Sequence, residues 1–270
     1  GVHSPVKIFS SEDTAAIRGY IESLEHEHGP LFTEDRPRPG KPIRGSFRFK
    51  SHLLFKWLAD VIRNPLILDA VEDILGPDIL CWSTHWIIKE ANSPKFISWH
   101  QDSEYWGVET DDFVSVWLAI SRSSIESGCL RVFPGSHNEG FIEHAPFINI
   151  NGLSKFTIPP VTLNQLEDKY GFEIIEASPG DVLFFHAGLV HGSSHNWSSQ
   201  SRMIILSQLN TYNNKPTDVN RNSKEFNLKR AKTELEEAER RYFWFKRKYE
   251  TQLKADEVLF NSPIPKEEQT

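Results

Sequence analysis

The chain is poor in sulfur, with two cysteines and one methionine in 270 residues. Two thiols cannot frame a disulfide-stapled domain. Cys81 and Cys129 both fall in apolar, strand-like stretches, which marks them as small buried hydrophobes. No apolar run reaches the length of a membrane span, and the N-terminal residues show no signal-peptide-like apolar region. The expectation is a cytoplasmic protein with no membrane partner. Positive charge is not in excess either. Thirty Lys and Arg stand against 37 Asp and Glu, a net charge of -7, which argues against nucleic acid as a partner. Internal repeats and low-complexity segments are absent. What is present is 39% hydrophobic and 12% aromatic residues, enough for a sizeable core and too many for global disorder. The length suits one domain over 1–270, a β-barrel with added helices.

Residues 11–28 begin with Ser11 and two acidic residues and stop at Gly29-Pro30, the pattern of a capped helix. Residues 31–46 carry Pro37, Pro39, Pro42 and three arginines and read as a loop. Helical patterns follow at 51–63 and 66–75, ended by Asn64-Pro65 and Gly76-Pro77. The helical N-terminal part therefore spans 1–77. From there the character changes to short β-branched and aromatic runs: ILCWSTHWIIK, FISWHQD, FVSVWLAI, CLRVF, DVLFFH and RMIILSQLN. Ser178-Pro179-Gly180-Asp181 places Pro and Gly where a type II turn needs them. Helices followed by many short strands predict an α+β chain around a β-sandwich or open barrel over 78–212, with 138–176 irregular and site-shaping.

Beyond the strands, Leu228, Ala231, Leu235, Ala238, Tyr242, Phe245 and Tyr249 recur at helical spacing, and Asn222 with Glu225 can form a capping box. A long amphipathic helix is expected over 222–256. It would pack on its own barrel and bring Trp244 or Tyr242 near the pocket entrance; the alternative is a dimer seam, so monomer and homodimer both stay open.

Trp99-His100-Gln101-Asp102 carries the chemistry. On an extended strand His100 and Asp102 leave the same face. A third imidazole from a distant segment completes two His and one carboxylate, a facial set that leaves positions open and suits non-haem Fe(II). With eleven histidines, no single one is informative. Both His186 and His191 flank an apolar strand end, and the residues alone do not choose between them. Arg202 lies eleven residues past His191, where a returning strand could aim its guanidinium at a keto-acid carboxylate.

Together these elements resemble the phytanoyl-CoA dioxygenase family of Fe(II)/2-oxoglutarate oxygenases. The likeness rests on WHQD, on Ser127-Gly128-Cys129-Leu130 leading to Pro134-Gly135-Ser136-His137, and on PGDVLFFHAGLVHGS with its trailing Arg202, all between about Ile79 and Asn210. It implies a double-stranded β-helix core, of jelly-roll or cupin-like form, with flanking N-terminal helices and the long C-terminal helix. It implies Fe(II) on His100, Asp102 and His191, with Arg202 and Ser193 at the distal carboxylate of 2-oxoglutarate. It places Trp117 at the border of that co-substrate, and His85 and Ser83 as weaker candidates on the preceding strand. The reaction implied consumes O2 and 2-oxoglutarate, releases succinate and CO2, and hydroxylates a substrate C–H bond. Halogenating relatives carry a small residue where Asp102 stands, so hydroxylation is the expected outcome.

The segment after the metal motif, with Glu104, Tyr105 and Trp106, would roof the pocket. Glu104 could meet an ammonium and Arg131 an anion. No basic surface suited to coenzyme A is evident, so a small polar metabolite, natural-product or phosphonate-like, is the expected substrate. Two other readings compete: a metal-dependent cupin-type hydrolase or isomerase, and a non-catalytic binding protein using the C-terminal helix.

Overall fold

The protein is seen here as a computed structural model that describes residues 1–28, 50–105, 112–146 and 156–211. The 31–46 loop, Trp106 and the C-terminal helix expected over 222–256 lie outside the described residues, as do the side chains of Glu104 and Tyr105.

Strand β1 (Val2–Lys7) leads into α1 (Ser11–His28), then α2 (Lys56–Ile62) and α3 (Pro65–Leu75). Strands β2 (Ile79–Lys89), β3 (Ile97–His100), β4 (Phe113–Ala119) and β5 (Leu130–Val132) follow. After a short pair, β6 (Ala145–Pro146) and β7 (Phe156–Thr157), come α4 (Pro160–Tyr170) and β8 (Glu173–Ile175). Strands β9 (Asp181–His186), β10 (His191–Ser193) and β11 (Arg202–Thr211) complete the described fold.

The α1 cap is one residue earlier than the sequence suggests. Ser10 Oγ accepts from Asp13 N at 3.0 Å, and the Asp13 carboxylate accepts back from Ser10 N at 2.9 Å, a reciprocal cap. At α3, the Asn64 side chain accepts from Leu66 N, and Pro65 opens the helix where its missing N–H is not needed. The Ser178–Asp181 turn forms as expected: Asp181 N donates to Ser178 O at 3.0 Å, and Gly180 takes φ +88°. A Cβ at Gly180 would also collide with the Phe9 carbonyl, so glycine is required there twice over.

Two antiparallel sheets stack face to face. One runs β1-β9-β4-β11-β2, the other β3-β10-β5-β8. Directly paired residues share a face, so register sorts the side chains. On the outer face of the five-stranded sheet, Trp86, Ile88, Val116, Leu118, Val182, Phe184, Met203 and Ile205 meet Ile21, Leu58, Ile67 and Val71 of the helices. Each such buried aliphatic contributes roughly 1.5–3 kcal/mol. The Trp57 ring ties α1 and α2 to β2, with centroids 5.6 Å from Tyr20 and 6.1 Å from Trp86. On the inner face, Trp117, Ala119, Leu183, Phe185, Ile204 and Leu206 pack on Leu130, Val132 and Ile175 of the second sheet. A third cluster (Phe133, Ile158, Leu166, Val190) seats α4 on the far side of that second sheet.

The stretch expected to be irregular over 138–176 instead contains α4 and β8 among its described residues. Pro159-Pro160 looks like a loop in sequence, yet Pro160 sits in the first turn of α4. Cys81 is half-buried and Cys129 buried, both free. No helix among the described residues is long and apolar enough to cross a membrane.

Candidate active site

The four-stranded sheet brings the two histidines together: β10 lies against β3 with His191 opposite His100. Their rings stand 4.2 Å apart between centroids. Asp102 Oδ1 faces both, 3.5 Å from His100 Nε2 and 3.6 Å from His191 Nε2. One ligand atom from each of the three lies within 4.8 Å of the others, and all three residues are buried. Each imidazole is oriented by its other nitrogen. His100 Nδ1 meets Ser98 O at 2.8 Å and His191 Nδ1 meets Leu189 O at 2.9 Å. A carbonyl can only accept, so the proton sits on Nδ1 and the Nε2 lone pair is left for a metal.

Asp102 reaches this place by a route different from strand alternation. Strand β3 ends at His100, and Asp102 opens a short 3-10 turn, Asp102–Tyr105. The residue between them directs the turn. The fully buried Gln101 amide donates to Gly140 O at 2.8 Å and Gly188 O at 2.7 Å, and accepts from Ile142 N at 2.9 Å. Its own N–H donates to His144 Nε2 at 3.0 Å. The second Asp102 oxygen is bound from the opposite sheet. Ser115 Oγ donates to Oδ2 at 2.7 Å, and Gln208 Nε2 approaches it at 3.4 Å. Burial alone would raise the Asp102 carboxyl. The histidines and the Ser115 hydroxyl overcome that and hold it well below the usual carboxylate range. Burial, then the neighbouring His100, pushes His191 down to about 4, so its ring is neutral and ready to ligate at neutral pH.

A second polar cluster lies further along the same interior. Arg202, 2% exposed, begins β11 opposite Lys89 at the end of β2. Its Nη2 donates to Gly128 O at 2.9 Å and reaches Ser193 Oγ at 3.4 Å, while its buried Nε has no hydrogen-bond partner. Ser193 is two residues beyond His191 on β10, on the same face, about 6.6 Å along a strand. Gly128 takes φ +73°, and a Cβ there would collide with the Ser194 carbonyl, so the close approach that presents its carbonyl to Arg202 needs glycine.

The remaining expected residues separate. Trp117 lies between the two clusters, 4% exposed, with the Arg202 guanidinium 6.0 Å from its ring. Ser83 and His85 fall at the Asp102 end: Ser83 Oγ donates to the Gln208 carbonyl oxygen and lies 3.3 Å from His85 Nε2. His186 is on β9 of the other sheet, accepting from Gly188 N through Nδ1 at 3.0 Å, and its ring neighbour is His137 at 5.2 Å. Arg131 does not face the interior. It alternates with the inward Leu130 and Val132, and its guanidinium sits 5.3 Å from Trp99 and 5.0 Å from Phe172 on the outer face. Three residues at the site were not anticipated: Ser115 and Gln208 on Asp102, and Lys89 beside Arg202. Ser115 and Gln208 are polar residues inside apolar strand runs, the signal that could have flagged them, whereas Lys89 ends such a run.

The donor set fits a divalent iron: two imidazoles that each offer Nε2 and one carboxylate, brought together at one end of the interior. The orphaned Arg202 Nε beside a buried hydroxyl fits a carboxylate. The chain is 24% identical over 222 residues to L-proline trans-4-hydroxylase of Streptomyces griseoviridis, covering 77% of this chain and 81% of that one. It is 25% identical over 218 residues to ectoine dioxygenase of Bordetella parapertussis, covering 77% and 70%. The structure superposes on the non-heme monooxygenase ThoJ with a TM-score of 0.61 and 25% identity, over 80% of this chain and 76% of that one. The sequence model of phytanoyl-CoA dioxygenase matches residues 42–204, more than half the chain. An oxygenase using Fe(II), 2-oxoglutarate and O2 on a cupin-like sandwich, the chain belongs to the phytanoyl-CoA dioxygenase family.

Proposed function

We propose that His100, Asp102 and His191 hold the Fe(II), that Arg202 and Ser193 receive the distal carboxylate of 2-oxoglutarate, and that the enzyme hydroxylates a C–H bond of a small polar metabolite. The observation that carries this is the separation of the two clusters. Three ligand atoms converge within 4.8 Å, and an incompletely bonded guanidinium stands at Ser193, two residues along the strand from His191. When bound, the iron supplies oxygen activation coupled to decarboxylation of the keto acid to succinate and CO2.

The chain's own residues do the rest. Carbonyls of Ser98 and Leu189 hold each imidazole in the tautomer that offers Nε2. Ser115 and Gln208 occupy Asp102 Oδ2, leaving Oδ1 toward the histidines and favouring a single-oxygen contact. Asp102 also fills the place a halide would need, which favours oxygenation over halogenation. Trp117, Leu183, Ile204 and Leu206 exclude water between the clusters, which strengthens a guanidinium–carboxylate pair there. Relatives named for proline and ectoine support a small polar substrate.

The test is turnover of the Fe(II)-loaded protein on a panel of amino acids, cyclic amines and phosphonates, with succinate measured against product. One panel member should stimulate succinate release stoichiometrically and gain an oxygen from labelled O2, with chloride present and no chlorinated product. A chlorinated product, or substrate-coupled turnover indifferent to 2-oxoglutarate, would overturn the proposal.

A further inference from the structure

Asn210 ends the inner face of β11, and its side-chain carbonyl is left unanswered there. Arg202, Ile204, Leu206 and Gln208 alternate inward along that strand, and Asn210 is the next in the series. Its cross-strand partner Phe113, 1% exposed, lies two residues before Ser115 and shares the inward face of β4. Asn210 therefore stands one pleat, about 6.6 Å, beyond Gln208, on the side of Asp102 away from Arg202. It is 8% exposed, and its Oδ1 is buried with no hydrogen-bond partner. Among the described residues no other carboxamide or carboxylate oxygen is left in that state.

Gln208, the same functional group two residues earlier, is the contrast. Its carbonyl accepts from Ser83 Oγ and its amide approaches Asp102 Oδ2 at 3.4 Å, so both ends are engaged. The Ser83 hydrogen is committed to Gln208, and its oxygen faces His85 Nε2 at 3.3 Å. That chain of bonds ends on Asp102, and Asn210 stands outside it. A buried acceptor without a donor costs stability, a cost that an apolar side chain of similar size does not carry. The surroundings select what would satisfy it. Lys89 and Arg202 are the only buried cations among the described residues, and both lie at the opposite end of the interior. Lys50 lies 4.3 Å over the Trp82 ring beside the edge strand β2, and Arg131 faces outward. An anionic group beside Asn210 would meet an unpaired acceptor and no buried Lys or Arg. An N–H or O–H group satisfies the carbonyl, with the Phe113 ring as the apolar surface on the neighbouring strand.

We propose that Asn210 is a substrate-binding residue whose Oδ1 accepts a hydrogen bond from an amine or hydroxyl group of the substrate, a role that rests on the metal and co-substrate assignment made above. The inner face of β11 then carries the diacid at Arg202, the support of the iron carboxylate at Gln208 and the substrate at Asn210, in that order. The substrate class narrows accordingly. It takes in small molecules with an N–H or O–H donor and leaves out acids that have none. Site specificity of this kind is strong, because a substrate without the donor leaves the buried carbonyl unpaired in the complex as well.

The experiment joins turnover to thermal unfolding of the full chain loaded with Fe(II). Succinate release is measured with cyclic amines, amino acids and cyclic alcohols, each matched to a carboxylate or sulfonate of the same ring that has no N–H or O–H donor at neutral pH. At least one donor-bearing compound should stimulate release above the substrate-free rate, and its donor-free match should not. Asn210→Leu should keep its iron and its 2-oxoglutarate affinity in anaerobic titration, and raise KM for that compound about tenfold or more. Without substrate it should melt at the same temperature as the unmutated protein or higher, since it loses only an unpaired acceptor. Stimulation by the donor-free matches, or by no donor-bearing compound, overturns the role of Asn210 on the unmutated protein alone. So does an unchanged KM in Asn210→Leu. A melting temperature several degrees lower, or a variant that does not fold, shows the carbonyl serving the fold and overturns it too. Substrate-coupled turnover indifferent to 2-oxoglutarate instead overturns the proposed function beneath it.

Discussion

The two ends of the sandwich interior are built on opposite principles. At the Asp102 end the charge is answered within the protein: two imidazoles face one carboxylate oxygen, and Ser115 and Gln208 hold the other. At the Arg202 end two cations share a serine, one guanidinium nitrogen has no partner, and no acid answers them among the described residues. One end is preorganised, with its donors oriented before anything arrives. On the proposed assignment the other is completed by the carboxylate of the co-substrate. The difference then follows from what each would hold: a metal resident through turnover, against a small acid consumed in every cycle.

The largest break in this contrast should come from Asp102→Ala. It removes a donor from the proposed metal set, and iron content after gel filtration should fall by more than the 10- to 100-fold typical of losing a supporting hydrogen bond. His186→Ala, altering the other sheet, should retain iron. The reverse pattern in metal analysis would dismantle the ligand assignment. Next in size, Arg202→Met should leave iron bound while weakening 2-oxoglutarate by about 2–5 kcal/mol, the cost of deleting one side of a buried charged pair. Arg202→Lys should recover only part of that loss, because a point charge does not reproduce the guanidinium fork. Co-substrate titration under anaerobic conditions measures both, and an unaltered curve would merge the two ends into one. The smallest effect should be Ser115→Ala, which strips a hydrogen bond from Asp102 Oδ2. Iron affinity should drop roughly 10- to 100-fold with co-substrate affinity on the reloaded protein little changed. A Ser115 variant with unaltered iron affinity would show that the carboxylate is held by packing alone.

The contrast also explains which parts could be read from sequence. Strand β2 is legible from end to end because ILCWSTHWIIK is apolar and β-branched over its whole length. Strand β10 is only His191-Gly192-Ser193, too short and too polar to announce itself, although it supplies both clusters. Strand β1 carries Pro5, which reads as a breaker; at the edge of the sheet, beside a register shift between His3 and Val6, it is tolerated. The triad was legible as residue types, and its choice of His191 over His186 required the family resemblance. The path to Asp102 was not legible, since the strand stops at His100 and Gln101 steers the turn through contacts distant in sequence. Lys89 escaped notice because a lysine ending an apolar run looks like an exposed strand terminus. Arg131 misled for the converse reason: its charge suggested a ligand, whereas alternation turns it toward Trp99 and Phe172.

Gly192 lies between His191 and Ser193, and a Cβ there would stand 3.1 Å from Ile97 O and 3.3 Å from Ser98 O. That closeness fits β10 against its neighbour and fixes one pleat, about 6.6 Å, between the two groups it bears. On the proposed assignment this strand is a ruler. It sets the spacing between His191 and Ser193 by main-chain geometry, while the reach of the Arg202 side chain from β11 sets the rest. Changing the first part of that measure would take an inserted or deleted residue, and that would turn one of the two groups out of the interior. On that assignment, part of the fit to a five-carbon diacid is carried by the peptide chain itself.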